Sequence, residues 1–171
     1  MRSAVGEVSF HSLVDANIHL LEQGLSLLAR IEDRHYQAVD EALFKYGAGR
    51  HVRHLLDSYR SFFDGMETGR VDFDRREREE EIERLRSAGM ARMERVIEQL
   101  RGIGASSAEK RLQVRQDSPL WAASSMEREL QFLISHTVHH YALIAMILRF
   151  QGVEPGDEFG VAPSTLQYWK G

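Results

Sequence analysis

Apolar positions recur at three- and four-residue spacing in four stretches of the chain, which marks amphipathic helices sharing one core. The first stretch, about Phe10 to Ile31, carries Phe10, Leu13, Val14, Leu21, Leu25 and Leu28. The second, from near Ala48 to just before Gly69, carries Val52, Leu55, Leu56, Tyr59, Phe62, Phe63 and Met66. Ser58, Ser61 and Gly65 lie beside that stripe, where small side chains would let a neighbouring helix approach. The third helix is expected to start after Asp74, with Asp74 as its cap and Glu77 reaching back from the N3 position. It carries Ile82, Leu85, Gly89, Met93, Val96, Ile97 and Leu100 and should stop at Gly102 and Gly104. The fourth opens at Ser124, where Glu127 completes a second capping box, and runs through Leu130, Leu133, Thr137, Ile144 and Ile147 to about Gln151.

Between these stretches the pattern is weaker. Glu32–Tyr46 reads as a connection with a helical turn. Ile103–Ala122 reads as a loop of some twenty residues that includes the alternating Leu112 and Val114; loops that long in small domains are disordered or placed for function. Residues 152–171 are rich in turn formers yet hold Phe159, Val161, Leu166, Tyr168 and Trp169. This tail is expected to pack back on the bundle and to help wall any cavity near its site. The whole chain, 1–171, reads as one domain of all-α class.

Composition narrows the function. Lys plus Arg number 22 against 26 for Asp plus Glu, whereas proteins that hold phosphate backbones carry a basic excess, so no nucleic acid is expected as partner. The run Arg70–Arg86 matches six arginines with seven carboxylates and reads as a solvated helix face with i,i+4 ion pairs. With no cysteine in the chain, disulfides, zinc–thiolate sites and cysteine nucleophiles are excluded. The opening MRSAVGEVSF has no apolar signal core, and the longest apolar run, Tyr141–Leu148, is far below the roughly 20 residues that span a bilayer. A cytoplasmic protein with no membrane partner is the expectation.

The chemistry concentrates in histidine. Five of eight histidines fall in two clusters, His51 with His54 on the second helix and His136, His139 and His140 on the fourth. His136 and His140 are four residues apart, about 40° in azimuth and one turn along a helix, so both imidazoles can reach one ion at roughly 2.0–2.1 Å. His140 continues the row Leu133, Thr137, Ile144 toward the interior, where an unpaired imidazole costs about 1–3 kcal/mol. A metal removes that cost by taking both lone pairs, and a third ligand from the facing helix would leave one open position. A core pair bonded to carbonyls would share this spacing. His11, His19 and His35 have no partner at ligand spacing. Glu32-x-x-His35 matches half of a di-iron motif, but the second half is missing.

The segments GAGRHVRHLLDSYRSFFDG, VDFDRRERE, ERELQFLISHTVHHYALIA and EFGVAPSTLQYW resemble a DinB-like branch of the DinB/YfiT-like superfamily of metalloenzymes. The resemblance implies a four-helix bundle with long crossover connections. It also implies one divalent metal, nickel or zinc, held by a helix-two histidine and the last helix's HxxxH pair. That pattern maps the ligands onto His54, His136 and His140. By azimuth alone His51 lies nearer the apolar stripe than His54, which keeps His51 as a fourth ligand or an orienting donor. Asp57 could orient an imidazole, and His139 would line the cavity. Where many relatives follow the last histidine with Arg-Gly-Gln, this chain has Tyr-Ala-Leu, so no specific substrate transfers.

Two function classes follow. One is a metal-dependent enzyme acting on a small molecule, a transferase using a low-molecular-weight thiol cosubstrate or a hydrolase. Its surrounding acid–base or anion-binding groups would come from His51, His139, Tyr141, Arg75 and Arg76. The other is a non-catalytic, metal-stabilised bundle acting through dimerisation or protein contact. The family's habit makes a homodimer the expected assembly.

Overall fold

The computed structural model describes residues 4–75 and 77–170. Four long helices make the bundle: α1 (Ala4–Arg30), α3 (Ala48–Thr68), α5 (Arg86–Arg101) and α6 (Met126–Phe150). Around the bundle α1 packs on α5 and α6, and α3 packs on the same two. Helices α1 and α3 are therefore diagonal, as are α5 and α6, and each diagonal step is bridged by a long crossover. The first crossover holds α2 (Asp33–Gln37). Tyr36 is wholly buried on it and donates its hydroxyl to the Ile82 carbonyl at 2.6 Å. Among the described residues no helix is long and apolar enough to cross a membrane.

The second crossover departs from the expected open loop. A 3₁₀ turn over Ala105–Glu109 leads into a strand, Arg111–Arg115 (β2), and another follows at Ala122–Ser125 (β3). Strand β2 runs antiparallel to β3 and parallel to a strand at Arg70–Asp72 (β1), with Val71 opposite Val114. The alternation of Leu112 and Val114 was thus a strand signal: Leu112 is buried with Val71, and Val114 packs against the same core.

The third helix also starts later than its pattern implied. Residues 70–86 are not one helix face but β1, a loop, the short α4 (Glu80–Arg84) and a break at Leu85, whose backbone is extended. Helix α4 starts at Glu80 with Glu79 at its N-cap, and the Asp74 carboxylate accepts the Asp117 N–H at 2.9 Å. The charges pair with distant elements instead of at i,i+4. Arg60 meets Glu77 and Glu79, Arg53 meets Glu83, Arg115 meets Asp72, and Arg86 meets Asp33.

Two further details differ by small shifts. Helix α6 is capped by Ser125, which accepts the Arg128 N–H, while the Ser124 hydroxyl donates to the buried carboxylate of Glu129. Gly65 faces β1 in place of a helix: a Cβ there would stand 2.5 Å from the Val71 Cα. In the tail, Phe159 is buried and stacks on Tyr141 at 4.4 Å, whereas Tyr168 and Trp169 on α7 (Pro163–Lys170) are exposed. Gly160 allows that docking, because its φ is +78° and a Cβ would meet the Ala142 nitrogen at 2.6 Å.

Candidate metal centre

Helices α3 and α6 are packed neighbours, and each turns histidines toward the other. The ligand-capable nitrogens of His54, His136 and His140 all lie within 4.8 Å of one another. His140 is buried, and the other two are half-buried. Its Nε2 is 3.2 Å from the Nε2 of His136, and the His54 ring centroid stands 4.7 Å from that of His140 and 5.1 Å from that of His136. A stack of aromatics supports this wall. Phe132 lies nearly parallel to His136 at 5.4 Å, and Phe73, just past β1, packs on Phe132 at 4.8 Å.

His51, three residues before His54, approaches the other edge of the central ring: its Nδ1 is 3.0 Å from the Nδ1 of His140. His140 therefore has one nitrogen toward the cluster and the other toward His51. Burial first, then the neighbouring imidazoles of His136, His54, His51 and His139, push its pKa down to about 2. The His51 pKa is lowered too, by burial and by the nearby His139 and Arg50. The His140 ring thus stays neutral at any physiological pH and keeps a lone pair to offer.

Other residues singled out from the sequence lie elsewhere. His139 is exposed, beside His140 but outside the cluster. Tyr141 points away from the histidines and donates to the Leu20 carbonyl at 2.8 Å beneath Phe159. Asp57 accepts Arg53 Nη1 at 2.6 Å, Arg75 is exposed, and Arg76 lies outside the described residues.

A cavity of about 280 Å³ opens against the cluster, lined by Tyr46, Arg50, His51, Arg53, His54, Arg78 and His140. Among the described residues no part of the tail lines it. Sequence reasoning missed Arg50, Arg53 and Arg78. Two flank His51 on α3, but the third arrives from the loop after β1, and no periodicity links it to them. Beyond the Arg50 wall, a neighbouring cleft of about 390 Å³ carries Tyr36, Val39, Gly49 and Glu83 and no histidine.

Fold and site together define a helical bundle with three convergent imidazoles between two of its helices. The chain belongs to the DinB family, whose model matches residues 10–162. Among curated proteins it is similar to FK506-binding protein 5 of Rhizopus delemar, at 47% identity over 47 residues. That match takes in 28% of this chain, and the chain spans only 12% of that protein's length. No solved structure matches.

Proposed function

We infer that this chain is a metal-dependent enzyme acting on a small molecule, with His54, His136 and His140 as ligands to one divalent ion, nickel or zinc. The donor set fits such an ion. Two nitrogens each bound at roughly 2.0–2.1 Å to a tetrahedral ion stand about 3.4 Å apart, close to the 3.2 Å between His136 and His140. A divalent ion on three neutral imidazoles keeps its charge and supplies acidification of a bound water or thiol and polarisation of a carbonyl.

The surrounding residues hold and orient. With its Nε2 lone pair given to the cluster, His140 donates Nδ1–H to His51, which fixes tautomer and ring plane. Phe132 holds the plane of His136. The observation that carries the enzyme reading over a purely structural metal is the cavity of about 280 Å³ against His54 and His140: a stabilising ion needs no such access. A thiol cosubstrate, transfer to an electrophile or hydrolysis, and a cytoplasmic homodimer complete the proposal.

Elemental analysis tests it. Protein purified without chelator should carry close to one divalent ion per chain, and His136→Ala or His140→Ala should lose nearly all of it. Unchanged metal content in both variants would refute the site.

A further inference from the structure

The cavity beside the histidines has a second chemical character. Three of its seven lining side chains are arginines, and no Asp or Glu lines it. This is not a reflection of overall basicity, since the chain's formal charge is −4.

The three arginines are not equivalent. Arg53 is 5% exposed and commits its guanidinium to Asp57 at 2.6 Å and Glu83 at 3.0 Å. Among the described residues Arg50 and Arg78 form no ion pair. Arg50 is half-buried and lies over the Tyr46 ring at 3.6 Å. That stacking fixes the guanidinium plane and leaves its N–H edges for another partner. Arg78 comes from a different element, the loop leading into α4, and reaches the same cavity. Glu80 and Glu83 line the adjoining cleft beside the same arginines, but Glu83 is committed to Arg53 and no carboxylate among the described residues forms an ion pair with Arg50 or Arg78. Two unpaired guanidinium groups facing one cavity attract an anion and can hold it bidentately. A cavity of about 280 Å³ lies just below the range of drug-sized ligand sites, about 300 to 1,000 Å³, which suits a small anion-bearing molecule.

We propose that Arg50 and Arg78 form a binding site for an anionic group, carboxylate or phosphate, on the small molecule that enters the cavity beside His54 and His140. The identity of this molecule as the substrate rests on the metal-enzyme reading; the anion binding does not.

Calorimetric titration separates the two. Inorganic phosphate and succinate are titrated at about pH 8, where ordinary imidazoles are neutral, into wild-type protein stripped of metal by chelator. At least one should bind. Binding of phosphate alone identifies a phosphoryl group, of succinate alone a carboxylate, and of both a site for either. Arg50→Gln and Arg78→Gln should each weaken binding about tenfold or more, with circular dichroism and metal retention unchanged, and Arg50→Lys should recover part of the loss. His136→Ala should bind the anion as wild type does, whatever happens to its metal content. Absence of binding of both anions to the stripped wild type, or undiminished binding in the Arg50→Gln/Arg78→Gln double variant, would overturn the proposal.

Discussion

Helices α3 and α6 carry two polar layers into the same core, one turn apart, and the layers handle their hydrogen bonds in opposite ways. In the first, Thr137 donates to the Tyr59 hydroxyl, Tyr59 donates to Asn17 Oδ1, and Asn17 donates to the carbonyls of Leu13 and Leu130. The Asn17, Tyr59 and Thr137 side chains are fully buried, and each of these donors has an acceptor within the protein. In the second, His136 and His140 aim nitrogens at each other, with His54 beside them and a cavity in front. Three neutral imidazoles whose ligand-capable nitrogens lie within 4.8 Å of one another can turn lone pairs toward a single point in front of them. The closed layer satisfies its own hydrogen bonds, whereas the open one has the donor set that could hold a metal ion.

The sharpest way to break this comparison is Asn17→Ala. It removes the acceptor of the Tyr59 hydroxyl proton and one donor to the Leu130 carbonyl and leaves a gap in a dry core, and should cost about 3 kcal/mol, or about 8 °C in melting temperature for a domain of this size, with metal content unchanged. If instead metal was lost and melting kept, the roles of the two layers would be exchanged. A smaller effect distinguishes the histidines of α3. His54→Ala should weaken metal binding by more than about a hundredfold, whereas His51→Ala, which removes only an orienting partner, should weaken it roughly tenfold. Equal losses in a chelator competition would make His51 a ligand as well.

The smallest effect is on pH. His140 has its folded pKa depressed from 6.5 to about 2, so the folded metal-free protein binds fewer protons than the unfolded chain below pH 6.5. Its contribution to stability is complete above that pH and is lost progressively as pH falls toward 2. Urea midpoints of the metal-free protein should decline below pH 6.5, and less steeply in His140→Phe. An equal decline in the variant would assign the acid sensitivity elsewhere.

Much of this was legible from periodicity, because α3 and α6 bury a continuous stripe. The stretch from near Ala48 to just before Gly69 coincides with α3, Ala48–Thr68, and the HxxxH spacing found two of the three clustered rings. The rest depended on contacts far apart in sequence. Arg70–Arg86 has the composition of a salt-bridged helix, yet Val71 and Phe73 are buried and the acidic residues answer arginines on α3 and β2. A three-residue strand offers too little alternation to outweigh a charge pattern. Periodicity also set His51 nearer the apolar stripe than His54, but both prove half-buried; a cavity at a helix boundary blurs the distinction between stripe and surface.

The parallel pairing of β1 with β2 joins Arg70 to Gln113, across the whole of α4 and α5. Such a pairing cannot form until the intervening helices have brought its ends together, because the loop entropy is paid before any strand hydrogen bond is gained. The helices can assemble on local contacts first, leaving the sheet as the last piece to close. By the same reasoning it is the first to open in the native state. Amide protons of Val71 and Val114 should then exchange with solvent faster than those of Leu55 or Leu133. Because Phe73 follows β1 directly and Arg78 lies in the loop after it, each such opening would loosen both the support behind His136 and one wall of the cavity.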